Sequence, residues 1–280
     1  MAQHVLAAST GHLAEIDEAT APPGIAAIYA RIRHLTGAPM TALIWRHIAT
    51  FPGALAEVWQ AIGPLYEAGL LQEAAWQGAH DSVRIAPASL SDEKLAAAGL
   101  DLDARAAYVR ILDAYNRANP VNFVAVRALS MRMAAPAMPR MAYPVRAWTP
   151  PDPVPALPPM VAVPALALQD RRMIDVLSSD PDLDRSQVVP SLYRHLPPLG
   201  PVIEQIHTAL RSRFDSGEIP SQVKATALVM DRAARQFAGM LPPIERLRAI
   251  DGVAITFERF SRLIPEMVVV GLLLRRGLQS

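Results

Sequence analysis

The sequence predicts an all-α protein built from two similar helical halves, and three observations support this fold class. Apolar residues recur at spacings of three and four along several long segments, which is typical of helices with one buried face. No segment shows the strict alternation of apolar and polar residues that indicates a half-buried strand. Proline is concentrated in one central stretch, which separates the two halves.

Two helical segments stand out in the N-terminal half. Apolar residues at helical spacing run from Pro52 to Ala79. A second helix is predicted from Asp103 to Asn116, because apolar residues recur at the same spacing and Asp103 is suited to cap its start. The residue before a proline is disfavoured in the α conformation, so Asn119 before Pro120 predicts a break in the helix.

A proline-rich connector follows the N-terminal half. Ten of the 26 prolines lie between residues 136 and 164, where fixed φ angles and missing N–H donors exclude a helix or a central strand. We therefore predict an N-terminal repeat over 1–135, an extended linker over 136–164 and a C-terminal repeat over 165–280. In the C-terminal repeat, Ser221 precedes an alanine-rich segment that is predicted to form a helix from residue 223 to residue 239.

The two halves also resemble each other in sequence. Trp45-Arg46-His47-Ile48 corresponds to Tyr193-Arg194-His195-Leu196, and Pro120 corresponds to Pro265 at nearly the same separation along the chain. Two repeats in one chain predict a pseudo-twofold arrangement, in which each half covers the apolar face of the other. The expected place for a ligand is the central cleft between them.

Composition excludes several classes of function. A net charge of +1 gives no case for nucleic-acid binding, and the absence of cysteine excludes disulfides, thiolate metal sites and cysteine-based catalysis. No histidine pair has helical metal-site spacing and there is no glycine-rich phosphate loop, so we predict neither metal nor cofactor. The longest apolar stretch, Met267–Leu274, is far shorter than the roughly 20 residues of a membrane span, and no secretory signal is evident. We expect a cytoplasmic protein that binds a small molecule and no membrane.

Three separated segments carry a resemblance to a known family. Ala49-Thr50-Phe51-Pro52-Gly53, Tyr115-Asn116-Arg117-Ala118-Asn119-Pro120 and the proline-rich linker resemble the group I α-haloacid dehalogenases, the DehI family, over nearly the whole chain. The resemblance implies a pseudo-dimer of helical repeats with the active site between them, often assembled as a homodimer. It also implies hydrolysis of 2-haloalkanoic acids, in which an aspartate activates water that displaces the halide without an ester intermediate. At fold level the family is similar to AhpD-like proteins, whose C-x-x-C peroxidase chemistry is excluded here.

The resemblance also places the family's site residues on this sequence. The asparagine that orients water falls on Asn119, which is retained, whereas the water-activating aspartate falls on Val189. A site tyrosine falls on Phe257, a tryptophan on Met40 and a second tyrosine on Asn122. Because valine cannot accept a proton, hydrolytic dehalogenation by the family's mechanism is doubtful.

The repeated arginine–histidine pairs offer a second set of candidates. If pseudo-symmetry brings both pairs to the cleft, Arg46 and Arg194 can bind a carboxylate, and His47 and His195 can act as bases near neutral pH. Tyr193, beside the second pair, is a further substrate-binding candidate. The alternative is structural, because consecutive helical residues diverge by about 100° and one of each pair then faces solvent.

Three functions follow from these residues. The first is an enzyme of the DehI-like fold that acts on a small organic acid, or a related apolar substrate, by an altered mechanism. The second is a 2-haloacid dehalogenase in which a displaced aspartate, such as Asp184, replaces the family's base. The third is a protein that binds a small ligand without catalysis.

Overall fold

A computed structural model describes residues 13–180, 182 and 188–279 of the 280-residue chain. These residues form helices joined by turns and extended segments and contain no strand, so the predicted all-α class is confirmed. The first half contains α1 (Pro23–Thr36), α2 (Leu43–Ile48), α3 (Ala54–Glu67), α4 (Leu70–Ser82), α5 (Asp92–Ala97) and α6 (Leu102–Ala134). The second half contains α7 (Leu168–Asp175), α8 (Ser191–Arg194), α9 (Val202–Asp215), α10 (Glu218–Met240), α11 (Glu245–Arg248) and α12 (Val253–Gly277), with 3₁₀ turns at Val163–Ala165 and Pro197–Leu199.

Glycines in the left-handed conformation set several helix boundaries. The predicted segment from Pro52 to Ala79 is divided into α3 and α4, because Gly69 has a φ of 67° and ends the helical path. The predicted alanine-rich helix is α10, which begins after Gly217 rather than at Ser221.

The predicted helix break before Pro120 does not occur. Helix α6 continues through Asn119 and Pro120 to Ala134, and it is capped by Asp101, whose side chain accepts from the backbone N–H of Ala104, rather than by Asp103. Proline removes one helical hydrogen bond, and burial of the surrounding apolar residues of α6 against α12 offsets this cost. Helix α12 likewise continues through Pro265.

Two apolar cores lie on either side of a central pair of helices, α6 and α12. One core joins α1–α4 and the later part of α6 to α10, α11 and the first part of α12. The other joins the first part of α6 to α7–α9 and the last part of α12. Residues from both halves of the chain therefore complete each core.

The proline-rich segment lies against the helices. Trp148 packs against Gly69, and its ring centroid is 6.3 Å from that of Trp76. The backbone N–H of Val154 donates to the carbonyl oxygen of Gly37 at 2.9 Å. These contacts hold the segment close to α1 and α4, while the predicted repeat boundaries and pseudo-twofold relation stay predictions.

Candidate active site

A cavity of about 200 Å³ lies between the two halves, enclosed by α2, α6, α8 and α12. Its floor and sides are mainly apolar, with a cluster of polar groups contributed chiefly by α2, α6 and the region of α8. The lining residues are Met40, Thr41, Ala42, Leu43, Ile44, Arg46, Tyr115, Asn119, Asn122, Met160, Val188, Pro190, Ser191, Leu192, His195, Phe260, Leu263, Ile264 and Met267.

Asn119 is one of the polar residues of this cavity, with Thr41 and Ser191, that have a buried side-chain atom without a hydrogen-bond partner among the described residues. Its side chain is 9% exposed, and its amide nitrogen makes no hydrogen bond with any residue that the structure describes. Leaving a buried donor unsatisfied costs about 1–3 kcal/mol. Such a group is expected to bind water or a polar ligand that enters the cavity.

Asn122 lies one helical turn after Asn119 and has a fixed orientation. Its Oδ1 accepts from the indole N–H of Trp45 at 2.8 Å, and both side chains are buried. Because an indole nitrogen only donates, this bond assigns the oxygen of the Asn122 amide and leaves its NH₂ group available as a donor. Helix α6 thus presents two amides to the same cavity.

Arg46 supplies positive charge at one wall of the cavity. Its Nε and Nη2 each lie 2.9 Å from Oε2 of Glu15, and its Nη1 donates to the carbonyl oxygen of Thr41 at 3.0 Å. These bonds hold the buried guanidinium group in place. Its remaining N–H groups are the candidates for contact with a bound anion.

His195 is held as a neutral base with one defined tautomer. Its Nδ1 lies 2.9 Å from the carbonyl oxygen of Pro158, which can only accept, so Nδ1 carries the proton and Nε2 has a free lone pair. The pKa of His195 is lowered to about 4, chiefly by burial and also by the charges of Arg194 and Arg46, while the bond to Pro158 acts in the opposite direction. The sequence predicted a base that titrates near neutral pH. The structure instead gives the imidazole a pKa close to the aspartate value of about 3.9.

Tyr115 is a cavity residue that was not among the sequence candidates. Its ring centroid lies 5.7 Å from that of His195, and burial raises the pKa of its hydroxyl, so the group stays protonated and can donate. Tyr115 precedes Asn119 by four residues, which places both on one helix face. That spacing was the available signal, since it links Tyr115 to the predicted Asn119.

The other sequence candidates lie at several places. Met40 lines the cavity, while Phe257 and Tyr193 are buried in the two apolar cores and are not among its lining residues. His47 also lies outside the cavity: its Nδ1 is 2.6 Å from the carbonyl oxygen of Ala14, and its ring packs edge-on against Phe51.

Arg194 and Val189 line a second, neighbouring cavity instead. The structure therefore brings together Asn119, Asn122, Arg46, Met40 and His195, and separates them from the remaining candidates.

No aspartate or glutamate is among the described residues that line the central cavity. Asp180, upstream of Val189, forms a two-bond ion pair with Arg262 at 2.7 and 2.8 Å. Asp182 is exposed, and Asp184 lies outside the described residues. The acid that the family places at the position of Val189 therefore has no substitute in this part of the structure.

Neither a metal-binding cluster nor a membrane-spanning helix occurs in the part of the chain that the structure describes. Across residues 13–180, 182 and 188–279, no group of three or more histidine, aspartate or glutamate side chains is placed to hold a metal ion. In the same residues, no helix has both the length and the apolar character that a bilayer crossing requires.

Replacing Asn119 by leucine is expected to separate stability from ligand binding. Leucine has a similar size and removes the unsatisfied donor, so the free energy of unfolding without ligand should stay unchanged or rise by about 1 kcal/mol. Ligand affinity should fall at least tenfold, because the site loses its free amide. Urea unfolding and calorimetric titration measure the two quantities. A loss of stability with full affinity would show that Asn119 has only a structural role.

The chain is similar to solved structures in fold, although its sequence identity to them is low. No protein-family model matches the chain, and no curated protein matches it significantly. A crystal structure of a D-2-haloacid dehalogenase mutant superimposes with a TM-score of 0.76 at 13% identity, covering 97% of this chain and 98% of that one. A complex of D-2-haloacid dehalogenase with L-LA gives 0.71 at 14%, covering 98% and 97%. A mutant complex with D-2-CPA gives 0.69 at 14%, covering 95% of each chain.

These similarities extend over nearly the full length of the chain. The resemblance to the DehI-like haloacid dehalogenases is therefore confirmed at the level of the all-helical fold. At this sequence identity the shared fold does not transfer residue roles, so the chemistry of the site depends on the residues of this chain.

Proposed function

We propose that the protein is a cofactor-independent enzyme that activates water for attack on a small organic acid in the central cavity. The observation that carries this proposal is His195, a buried neutral imidazole whose tautomer is fixed by Pro158. Its Nε2 is the available base in a cavity that also contains the unpartnered amide of Asn119. In this proposal, His195 takes the role that the family gives to aspartate.

The proposed reaction is the displacement of a leaving group from the α-carbon by water. Nε2 of His195 removes a proton from the attacking water as its oxygen bonds to carbon, and the leaving group departs with the electron pair of the broken bond. Asn119 orients the water, and the free N–H groups of Arg46 attract the substrate carboxylate. The apolar wall formed by Met40, Ile264 and other lining residues accommodates the alkyl part.

The solved structures of similar fold suggest the first substrates to test. Two of them are described as D-2-haloacid dehalogenase complexes, one with L-LA and one with D-2-CPA. Small 2-halogenated acids also suit a cavity of about 200 Å³ that has mainly apolar walls and an arginine. They are therefore the preferred class for this site.

The test is incubation of the purified protein with both enantiomers of 2-chloropropionate and 2-bromopropionate. Halide release is followed by ion chromatography, and the organic product by chiral chromatography. We expect stoichiometric release of halide and formation of the 2-hydroxy acid. Failure to convert any compound would contradict the proposal for this substrate class.

Two variants separate the proposed mechanism from one that uses a displaced aspartate. If His195 is the base, Asp184→Asn should retain halide release and His195→Gln should lose it. The reverse result would favour a dehalogenase that uses Asp184, the alternative drawn from the sequence.

A binding protein without catalysis is the second candidate function. It is favoured by the absence of a carboxylate among the described lining residues. A halogenated acid that raises the melting temperature but is recovered unaltered after long incubation would support this candidate and exclude the enzyme.

A further inference from the structure

Arg194 is a buried cation with few hydrogen-bond partners among the described residues. It is 8% exposed, and its side chain makes one hydrogen bond with the described residues, from Nε to the carbonyl oxygen of Val161 at 2.9 Å. Among the described residues, neither terminal nitrogen has a partner and no carboxylate forms an ion pair with it. Burial lowers the pKa of this guanidinium, which is partly opposed by the charge of Glu15. A buried charge in this state is costly unless an anion joins it.

Arg46, the corresponding arginine in the first half, has the carboxylate partner that Arg194 lacks. The backbone N–H of Ile16 donates to the carbonyl oxygen of Arg46 at 3.0 Å, and that of Val161 donates to the carbonyl oxygen of Arg194 at 2.9 Å. In both halves, an extended segment is thus tied to the helix that carries the arginine. The residue before Ile16 is Glu15, which pairs with Arg46.

The residue before Val161 is Met160, so the second half has an uncharged thioether at the sequence position where the first half has the carboxylate of Glu15.

A separate cavity adjoins Arg194. Its volume is about 180 Å³, and it is lined by Leu13, Glu15, Leu43, Ala162, Val163, Pro164, Val188, Val189 and Arg194. Leu43 and Val188 also line the central cavity and therefore form the wall between the two. The carboxylate of Glu15 is already paired with Arg46, which leaves Arg194 as the free charge among mainly apolar walls.

We propose that this second cavity binds a short-chain carboxylate, held end-on by the two terminal nitrogens of Arg194. Parallel N–H groups of a guanidinium match the two oxygens of a carboxylate, and Val163, Val188 and Val189 provide apolar contact for a short alkyl chain. The bound anion takes the place of the carboxylate that Glu15 supplies to Arg46 in the first half. This site is independent of the proposed catalytic function, because Arg194 does not line the central cavity.

The test measures propionate binding by calorimetric titration at constant ionic strength. The Asn119→Leu background is used so that binding in the central cavity is weakened. We expect saturable binding, which Arg194→Met weakens at least tenfold because the charge-assisted bonds are lost. Unchanged affinity in Arg194→Met would overturn the proposal, as would the absence of any saturable binding in the parent protein.

A second pair of variants keeps the proposal testable if Arg194→Met fails to fold. Val163 lines the second cavity and not the central one, so Val163→Glu should place a carboxylate beside Arg194 and weaken propionate binding at least tenfold. Val163→Gln introduces a side chain of the same size without the charge and should bind propionate at least tenfold more tightly than Val163→Glu. Equal affinity in the two variants would count against the site. Binding of bromide without binding of propionate would overturn the assignment to a carboxylate.

Discussion

Replacing His195 by glutamine is expected to lower kcat/KM by about 10²–10⁴-fold, the usual contribution of a general base. Glutamine can still donate to the carbonyl oxygen of Pro158 and approximates the volume of the ring, so the fold should be retained. The variant lacks the basic nitrogen that accepts the proton of water. Steady-state halide release on a 2-haloacid measures the effect, and a melting curve checks the fold.

The matched control is His47→Gln. His47 occupies the corresponding place in the first half and makes the same kind of bond, from Nδ1 to the carbonyl oxygen of Ala14, but it lies outside the cavity. Its replacement should leave kcat/KM within about twofold, as expected for a residue away from the reacting atoms. If both variants lost activity equally, the loss would reflect structural disturbance and not a base at His195.

The pH profile of the parent enzyme provides a second readout of the same base. His195 must be neutral to accept a proton, and its pKa is lowered to about 4. The rate should therefore stay flat from neutral pH down to about pH 5 and fall about tenfold per pH unit below about pH 4. A rate that begins to fall at about pH 6.5 would instead indicate a histidine with the pKa of a solvent-exposed side chain.

The second large effect concerns stability in mild acid. The pKa of His195 is about 4 in the folded protein and about 6.5 in the unfolded chain, so the unfolded state binds more protons between these values. The stabilisation of the folded state that results from this difference in pKa is fully present above about pH 6.5, and it is lost as the pH falls towards about 4. The free energy of unfolding should fall by about 2 kcal/mol between about pH 7.5 and about pH 5 from this residue alone.

Urea unfolding of the parent and of His195→Gln at both pH values isolates this contribution. Carboxylates and other groups titrate in both proteins, so the parent should lose about 2 kcal/mol more than the variant. Burial also lowers the pKa of His47, so His47→Gln should reduce the acid sensitivity in the same direction. Parallel pH dependences of the parent and His195→Gln would show that His195 has an ordinary pKa when folded.

The fold class and part of the site could be predicted from the sequence because they depend on local pattern. Helical periodicity predicts α3, α4 and α6, and the sequence also identifies Asn119, Asn122 and Arg46, which share the central cavity, as candidate site residues. The continuation of α6 through Pro120 could not be predicted, because packing of α6 against α12 outweighs the local preference of the residue before proline.

The sequence alone could not predict the locations and the pKa values of His47 and His195. His47 and His195 stand in the same motif, yet only His195 lines the central cavity, and this difference depends on how distant segments pack around each ring. The pKa of His195 depends on burial and on arginines that tertiary structure brings near it. The lack of a carboxylate partner for Arg194 likewise depends on how the segment around Val161 packs against α8, which only the fold reveals.

The placement of α6 and α12 has a consequence for how the molecule folds. Each apolar core contains helices from both halves of the chain. A half on its own would therefore leave part of its apolar surface exposed to water. Cleavage in the proline-rich segment would thus yield two fragments that depend on each other for order. Because α6 and α12 contribute to both cores, we expect the central cavity to form only when both halves are present.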